Sequence, residues 1–192
     1  MVNPDNQNTA ELLKAYEELT AAKAKILALK RAVAPLHVDD YQLKTPEGQE
    51  ISLFSLFQGK DELIVIHNMG KGCRYCTLWA DVFNGFVQHF ENRVPFVVVT
   101  PDKPEIVKAF SESRGWKFKI LSAQGTSFIK DMGFEKAGQA QPGVSAFRKS
   151  QDGTVLRTAS DHFGPGDDYC SVWPLFDLLP KGVNGWEPQY KY

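Results

Sequence analysis

Cysteine is scarce in this chain, three among 192 residues, too few for a disulfide framework in a domain of this size. A second CxxC and a closely spaced histidine pair are missing too, so a four-ligand zinc site lacks donors. No block of like charge occurs. The 22 basic and 23 acidic residues leave a net charge of −1, which implies neither nucleic acid nor an anionic membrane as partner. No apolar run approaches the ~20 residues that span a bilayer, and the opening MVNPDNQNTAELLK lacks the apolar core of an export signal. These absences predict a soluble, cytoplasmic protein with no metal and no cofactor, in a compartment that suits a cycling dithiol better than a permanent staple. With 43% hydrophobic and 12% aromatic residues, the chain is long enough for one well-filled core and short for two.

Two of the three cysteines stand three residues apart in Gly72-Cys73-Arg74-Tyr75-Cys76. The apolar run Leu63-Ile64-Val65-Ile66 before them reads as a buried strand, and Cys76, Trp79, Phe83, Phe86, Val87 and Phe90 recur at helical spacing after it. Cys73 is thus expected at a helix N-terminus. Unpaired N–H groups and the helix dipole favour an anion there, so the thiol gives up its proton more readily than a free side chain.

A long helix is expected from an N-cap at Thr9 to about Val33, with Pro35 ending it. Leu12, Tyr16, Leu19 and Ile26 form its stripe, interrupted by Lys23 and Lys30 at seam positions. Packing across the domain and pairing into a homodimer are both open to such a helix. Tyr41–Leu43 and Glu50–Leu53 flank the turn Pro46-Glu47-Gly48 as a hairpin. After the cysteine helix come a strand over Val94–Thr100, a helix over Pro104–Arg114, a short strand over Phe118–Leu121 and a helix from Phe128 to about Met132. Strand and helix alternate here as in a parallel βαβ unit. Val144–Arg148 and Thr154–Thr158 flank Gln151-Asp152-Gly153 as an antiparallel hairpin.

A strand, a CxxC at a helix start, a βαβ crossover and a terminal hairpin preceded by Pro142 together resemble the thioredoxin fold. The resemblance implies an α/β protein with a central mixed sheet flanked by helices. It divides the chain into a helical extension at 1–37, a thioredoxin-like domain at 38–163 and an extension at 164–192 on the same domain. A cis proline against the two cysteines belongs to that fold, and Gln141-Pro142-Gly143-Val144-Ser145-Ala146-Phe147 looks like this element. Two stretches are similar to the peroxiredoxin branch: Glu47 to Lys60, and Phe118–Ser122 with the later Met132-Gly133-Phe134. Gly72 to Asp81 and Phe176 to Gly182 resemble a bacterial thioredoxin-like family labelled a domain of unknown function. That similarity covers most of the chain and implies a fold without an activity, so function rests on the site.

A thiol–disulfide oxidoreductase is the first expectation, with Cys73 attacking and Cys76 resolving. Its partners would be a protein or small-molecule thiol or disulfide and an unidentified reductant. Lys71 and Arg74 flank Cys73 and are expected to lower its pKa below about 8.5. Gln141, Pro142, Lys71 and Arg74 are the expected substrate contacts. His67 lies six residues before Cys73, where thioredoxins carry a buried acid, and reads either as the base for Cys76 or as a strand-end histidine bonded to backbone. A thiol peroxidase is the second expectation. By alignment Cys76 would be peroxidatic, but Cys73 stands where peroxiredoxins have threonine, and Arg148 and Arg157 are candidates for the helper arginine. Copper-delivering relatives use two cysteines and a distant histidine, which makes His162 a candidate ligand for a non-enzymatic metal-binding or interaction module. Cys170 reads as a small core hydrophobe, and Trp79 and Phe83 as core on the apolar face of the cysteine helix. Trp173, Trp186, Tyr190 and Tyr192 are read as capping the site or covering a sheet edge.

Overall fold

A computed structural model describes residues 7–192; of the opening segment, residues 1–6 lie outside it. Two units divide between Pro35 and Leu36. The first holds helix α1, Gln7–Ala32, whose end agrees with a proline that disfavours helical backbone in the residue before it. Thr9 is not the N-cap, because the helix already includes Gln7 and Asn8. Nor is the stripe buried: Leu12, Tyr16, Leu19 and Ile26 are 49% to 59% exposed.

The second unit runs through β1 (Leu36–Val38), β2 (Gln42–Lys44), β3 (Glu50–Ser52), a 3-10 turn at Phe54–Phe57, β4 (Glu62–His67), α2 (Arg74–Arg93), β5 (Phe96–Thr100) and α3 (Pro104–Arg114). It continues with β6 (Lys119–Ser122), α4 (Phe128–Asp131), β7 (Glu135–Lys136), β8 (Gln139–Ala140), β9 (Gly143–Lys149), β10 (Val155–His162) and α5 (Val172–Phe176). Eight strands form one sheet in the order β1-β10-β9-β4-β5-β6-β2-β3. β4, β5 and β6 are parallel neighbours, whereas β9 pairs antiparallel with β4 and with β10. This is the thioredoxin-like architecture, a mixed sheet flanked by helices. β1 brings Leu36 and His37 into the sheet against Arg157 and Leu156, and β7 and β8 close a small hairpin through Ala137 and Gly138, both at positive φ.

Side chains alternate across a strand, so each central strand feeds two cores. Leu63 and Val65 of β4 join Val97, Val99 and Leu121 on one face, with Leu56, Phe57, Phe128, Phe134 and Phe147. Ile66 joins Phe96, Val98 and Ile120 on the other, under Cys76, Trp79, Phe83 and Val87 of α2. Each fully buried phenylalanine contributes roughly 1.5–3 kcal/mol by leaving water. Pro104 opens α3, where its missing N–H costs nothing, and Gly115 closes it in the left-handed region at φ 65°. The cysteine helix thereby rests on one face of the sheet, with its N-terminus at the carboxyl end of β4.

Candidate active site

The loop between β4 and α2 is held by its own backbone and by two side chains. Asn68 accepts from the Gly70 N–H at 2.8 Å and donates Nδ2 to the Cys76 carbonyl at 3.4 Å, tying the strand end to the first turn of the helix. The Asp102 carboxylate, from the loop after β5, accepts from the Lys71 N–H at 2.6 Å. Gly70 makes that approach possible. It sits at φ +97°, and a Cβ there would stand 2.7 Å from both Asp102 oxygens. Gly70→Ala is expected to cost about 2 kcal/mol, combining the positive φ with the displaced carboxylate. Urea unfolding of the reduced protein checks this, and an unchanged midpoint would exclude the tight approach.

Cys73 is the N-cap of α2. Its sulfur accepts the Cys76 N–H at 3.1 Å, and its carbonyl accepts both the N–H and the hydroxyl of Thr77 at 3.1 and 3.0 Å. Sulfur here takes the place of the oxygen that usually caps a helix. The Cys76 thiol facing it lowers the Cys73 pKa from 9.0 to about 7, aided by the N–H groups of Cys76 and Tyr75 and opposed by burial. The same contact pushes the Cys76 thiol far up, and burial and the neighbouring Cys73 charge push it further. Cys73 is part-exposed and Cys76 is 2% exposed, so one sulfur is reachable and acidic while the other is covered and protonated. The helix-end N–H groups expected from the sequence take part in the shift, but the flanking cations expected to add to it do not. Lys71 is exposed, and Arg74 is paired with Glu187 at 2.8 Å.

His67 does not join the cysteines. Strand alternation turns it to the face of Leu63 and Val65, opposite α2, where it stacks on Phe134 with ring centroids 3.8 Å apart and lies 5.7 Å from Phe128. Its Nε2 is 2.9 Å from the Ser145 hydroxyl, so its partner is a side chain rather than backbone, and Nδ1 is buried without a partner. Burial, then the charges of Arg157 and His162, lower its pKa from 6.5 to about 3. A base for Cys76 is not found in this ring. His162, the candidate copper ligand, lies on that same opposite side with its ring 4.9 Å from Phe134. Among the described residues no three His, Cys, Asp or Glu side chains are grouped as metal ligands.

Pro142 precedes β9 in the trans form; no described peptide bond is cis. The Gln141 N–H donates to Phe134 and the Phe163 N–H to the Pro142 carbonyl, an extended entry that the preferred trans bond supplies. The side-chain amide of Gln141 turns back on the carbonyls of Gln139 and Ala140. Arg157 donates to the Met132 carbonyl, away from the dithiol. Cys170 is buried in the core beneath α2, and burial pushes its thiol up.

The C-terminal segment covers the cysteine end of α2, which the sequence left undecided. Trp173 lies 6.2 Å from Tyr75, between the two cysteines, and 6.2 Å from Trp186. Glu187 meets Arg74, and the Tyr190 carbonyl accepts from Arg114 at 2.7 Å while Arg114 also pairs with Asp81. Burial raises the Tyr190 phenol, which also feels Cys73, Arg74 and Cys76. Tyr192 is exposed. Sequence reasoning missed Asn68, Asp102 and Glu187; the dipeptide Asn68-Met69 ahead of a glycine was the available signal for the first, and the other two act through contacts remote in sequence.

Solved structures that share this architecture include peroxiredoxins. Prx3 from Vibrio vulnificus is 14% identical, with 70% of this chain and 90% of that one covered and a TM-score of 0.56. Peroxiredoxin Q from Xanthomonas campestris is 13% identical over 64% and 79%, with a TM-score of 0.55. A hypothetical protein from Sinorhizobium meliloti is 15% identical over 82% and 88%, with a TM-score of 0.51. At such identities the likeness concerns fold alone. A search of curated proteins returns no match. No helix among the described residues is long and apolar enough to cross a membrane. The model of one family, described as "Bacterial protein of unknown function (DUF899)", matches residues 5–192, and the chain belongs to that family.

Proposed function

We propose that the protein is a thiol–disulfide oxidoreductase working through Cys73 and Cys76. The observation that carries this reading is the pairing of an acidic, part-exposed sulfur at the helix cap with a covered, protonated one a single turn inside. The Cys73 thiolate attacks one sulfur of a substrate disulfide, the substrate S–S bond breaks and the first thiolate leaves. Cys76 then loses its proton to solvent and attacks the Cys73 sulfur, breaking the mixed disulfide and releasing the second thiolate. The protein dithiol gives up two electrons as its disulfide forms, and an external thiol reductant returns them. Low Cys73 pKa serves the first step; the high Cys76 pKa keeps the second thiol from attacking before the mixed disulfide removes the partner that holds its proton.

A thiol peroxidase of peroxiredoxin type is the other reading that the shared architecture favours. It would assign peroxide attack to Cys76, whose burial and raised pKa support the exchange reading instead. Iodoacetamide labelling of Cys73 in the reduced protein is expected to rise with pH along an ionisation centred near 7. The midpoint should move upward in Cys76→Ala, which removes the facing thiol. Cys76→Ser should trap a mixed disulfide on Cys73. Peroxide oxidation of Cys76 ahead of Cys73 would move the assignment to peroxidase, and a Cys73 that labels no faster than a free thiol at pH 7 would exclude the exchange reading.

A further inference from the structure

We infer that the dithiol is built for disulfides that carry a carboxylate, and that Glu187 occupies the carboxylate's place on Arg74 in the free protein. This rests on the exchange reading and names its substrate class. Arg74 directly follows the nucleophile, and its guanidinium Nη2 is held at 2.8 Å by a carboxylate oxygen from a segment 113 residues further along the chain. Both side chains of the pair are about half exposed, 44% and 55%. An ion pair so exposed is worth at most about 1 kcal/mol, so a second carboxylate arriving with a substrate can exchange with it. A guanidinium also binds a carboxylate through two parallel N–H donors, which gives orientation as well as attraction.

The surroundings favour an anion over a cation. Lys71, on the other flank of Cys73, is exposed, and the nearby Asp102 carboxylate is engaged by the Lys71 N–H behind Gly70. Tyr190 feels the charges of Cys73, Arg74 and Cys76, so the C-terminal segment lies beside the nucleophile and the cation. The segment stays in place when Glu187 lets go, because Arg114 holds the Tyr190 carbonyl and Trp186 packs on Trp173 and Phe176. Bond changes are those of exchange: the Cys73 thiolate bonds to one substrate sulfur as the substrate S–S bond breaks and the first thiolate leaves, and Cys76, its proton passing to solvent, then bonds to Cys73 as the mixed disulfide breaks and the second thiolate leaves.

The test compares 3,3′-dithiodipropionate with its diamide, two disulfides of one skeleton that differ in charge. Thiol loss of the reduced protein is timed with each and divided by the rate of an unstructured cysteine peptide. The dicarboxylate is expected to be preferred about threefold to fivefold, less so as salt screens the charge. Arg74→Gln should abolish that preference, and Glu187→Gln should raise the ratio of dicarboxylate to diamide rate. Equal normalised rates for the two disulfides, or a preference that survives Arg74→Gln, would overturn this inference and leave the exchange reading standing. Reaction of neither disulfide beyond the peptide control would overturn both.

Discussion

Gly143→Ala is expected to destabilise the protein by about 3 kcal/mol or more, among the larger effects of a single methyl group. Gly143 opens β9 and is paired on both sides, with His67 of β4 and with His162 of β10. A Cβ there would lie 2.2 Å from Phe134 Cε1 and 2.3 Å from the Asp161 carbonyl oxygen. One of these is backbone in a ladder and the other a fully buried ring that stacks on His67, so neither can step aside cheaply. Urea unfolding measures the loss. A midpoint within error of the parent's would mean that β9 and Phe134 are not so close. Because His67 and Phe134 lie across the sheet from α2, the variant's remaining folded fraction should keep the Cys73 labelling rate.

Acid should unfold the protein through His67. The unfolded chain takes up a proton near pH 6.5, while the folded ring, buried against Phe134 and bonded to Ser145, stays neutral down to about 3. Its contribution to stability is therefore complete above the unfolded value and falls as pH drops from 6.5 toward 3. The loss from this group alone reaches about 2 kcal/mol by pH 5. His67→Phe retains an aromatic ring for Phe134 but cannot titrate, and it leaves the Ser145 hydroxyl short of a partner. Its absolute stability is thus not the informative quantity; its pH slope is. Unfolding free energies at pH 7 and pH 5 should differ less in His67→Phe than in the parent, and equal differences would show that the ring is protonated in the folded state.

The elements that position the dithiol were legible because each carries a local pattern. β4 and β5 are short apolar runs, α2 repeats its apolar residues at helical spacing, and α3 is bounded by Pro104 and Gly115. β1, β7 and β8 carry no such pattern, since two or three residues become a strand only through a partner elsewhere. His67 shows a different kind of miss. The alternation Leu63, Val65, His67 against Ile64, Ile66 already sends it away from the face that receives α2, and parity along the strand overrides nearness in sequence. For the ionisation of Cys73, the helix N–H donors read from the sequence do contribute, whereas the added help expected of Lys71 and Arg74 is replaced by the Cys76 thiol, the largest cause. Glu187 and Tyr190 belong to a stretch without periodicity, and their place beside Arg74 and Arg114 is a tertiary fact.

The sulfur that caps α2 ties the helix to the electron balance of the dithiol. A thiolate is a full negative charge at the positive end of the helix dipole, and a disulfide sulfur in the same place carries none. Oxidation therefore weakens the bond to the Cys76 N–H, and reduction restores it. If the cap is worth about 1 kcal/mol, as helix caps commonly are, the reduced form gains that much and the couple becomes more oxidising by about 20 mV. The first turn of α2 is in this sense an electrode setting, and a change of helix-end geometry would be read as a change of voltage.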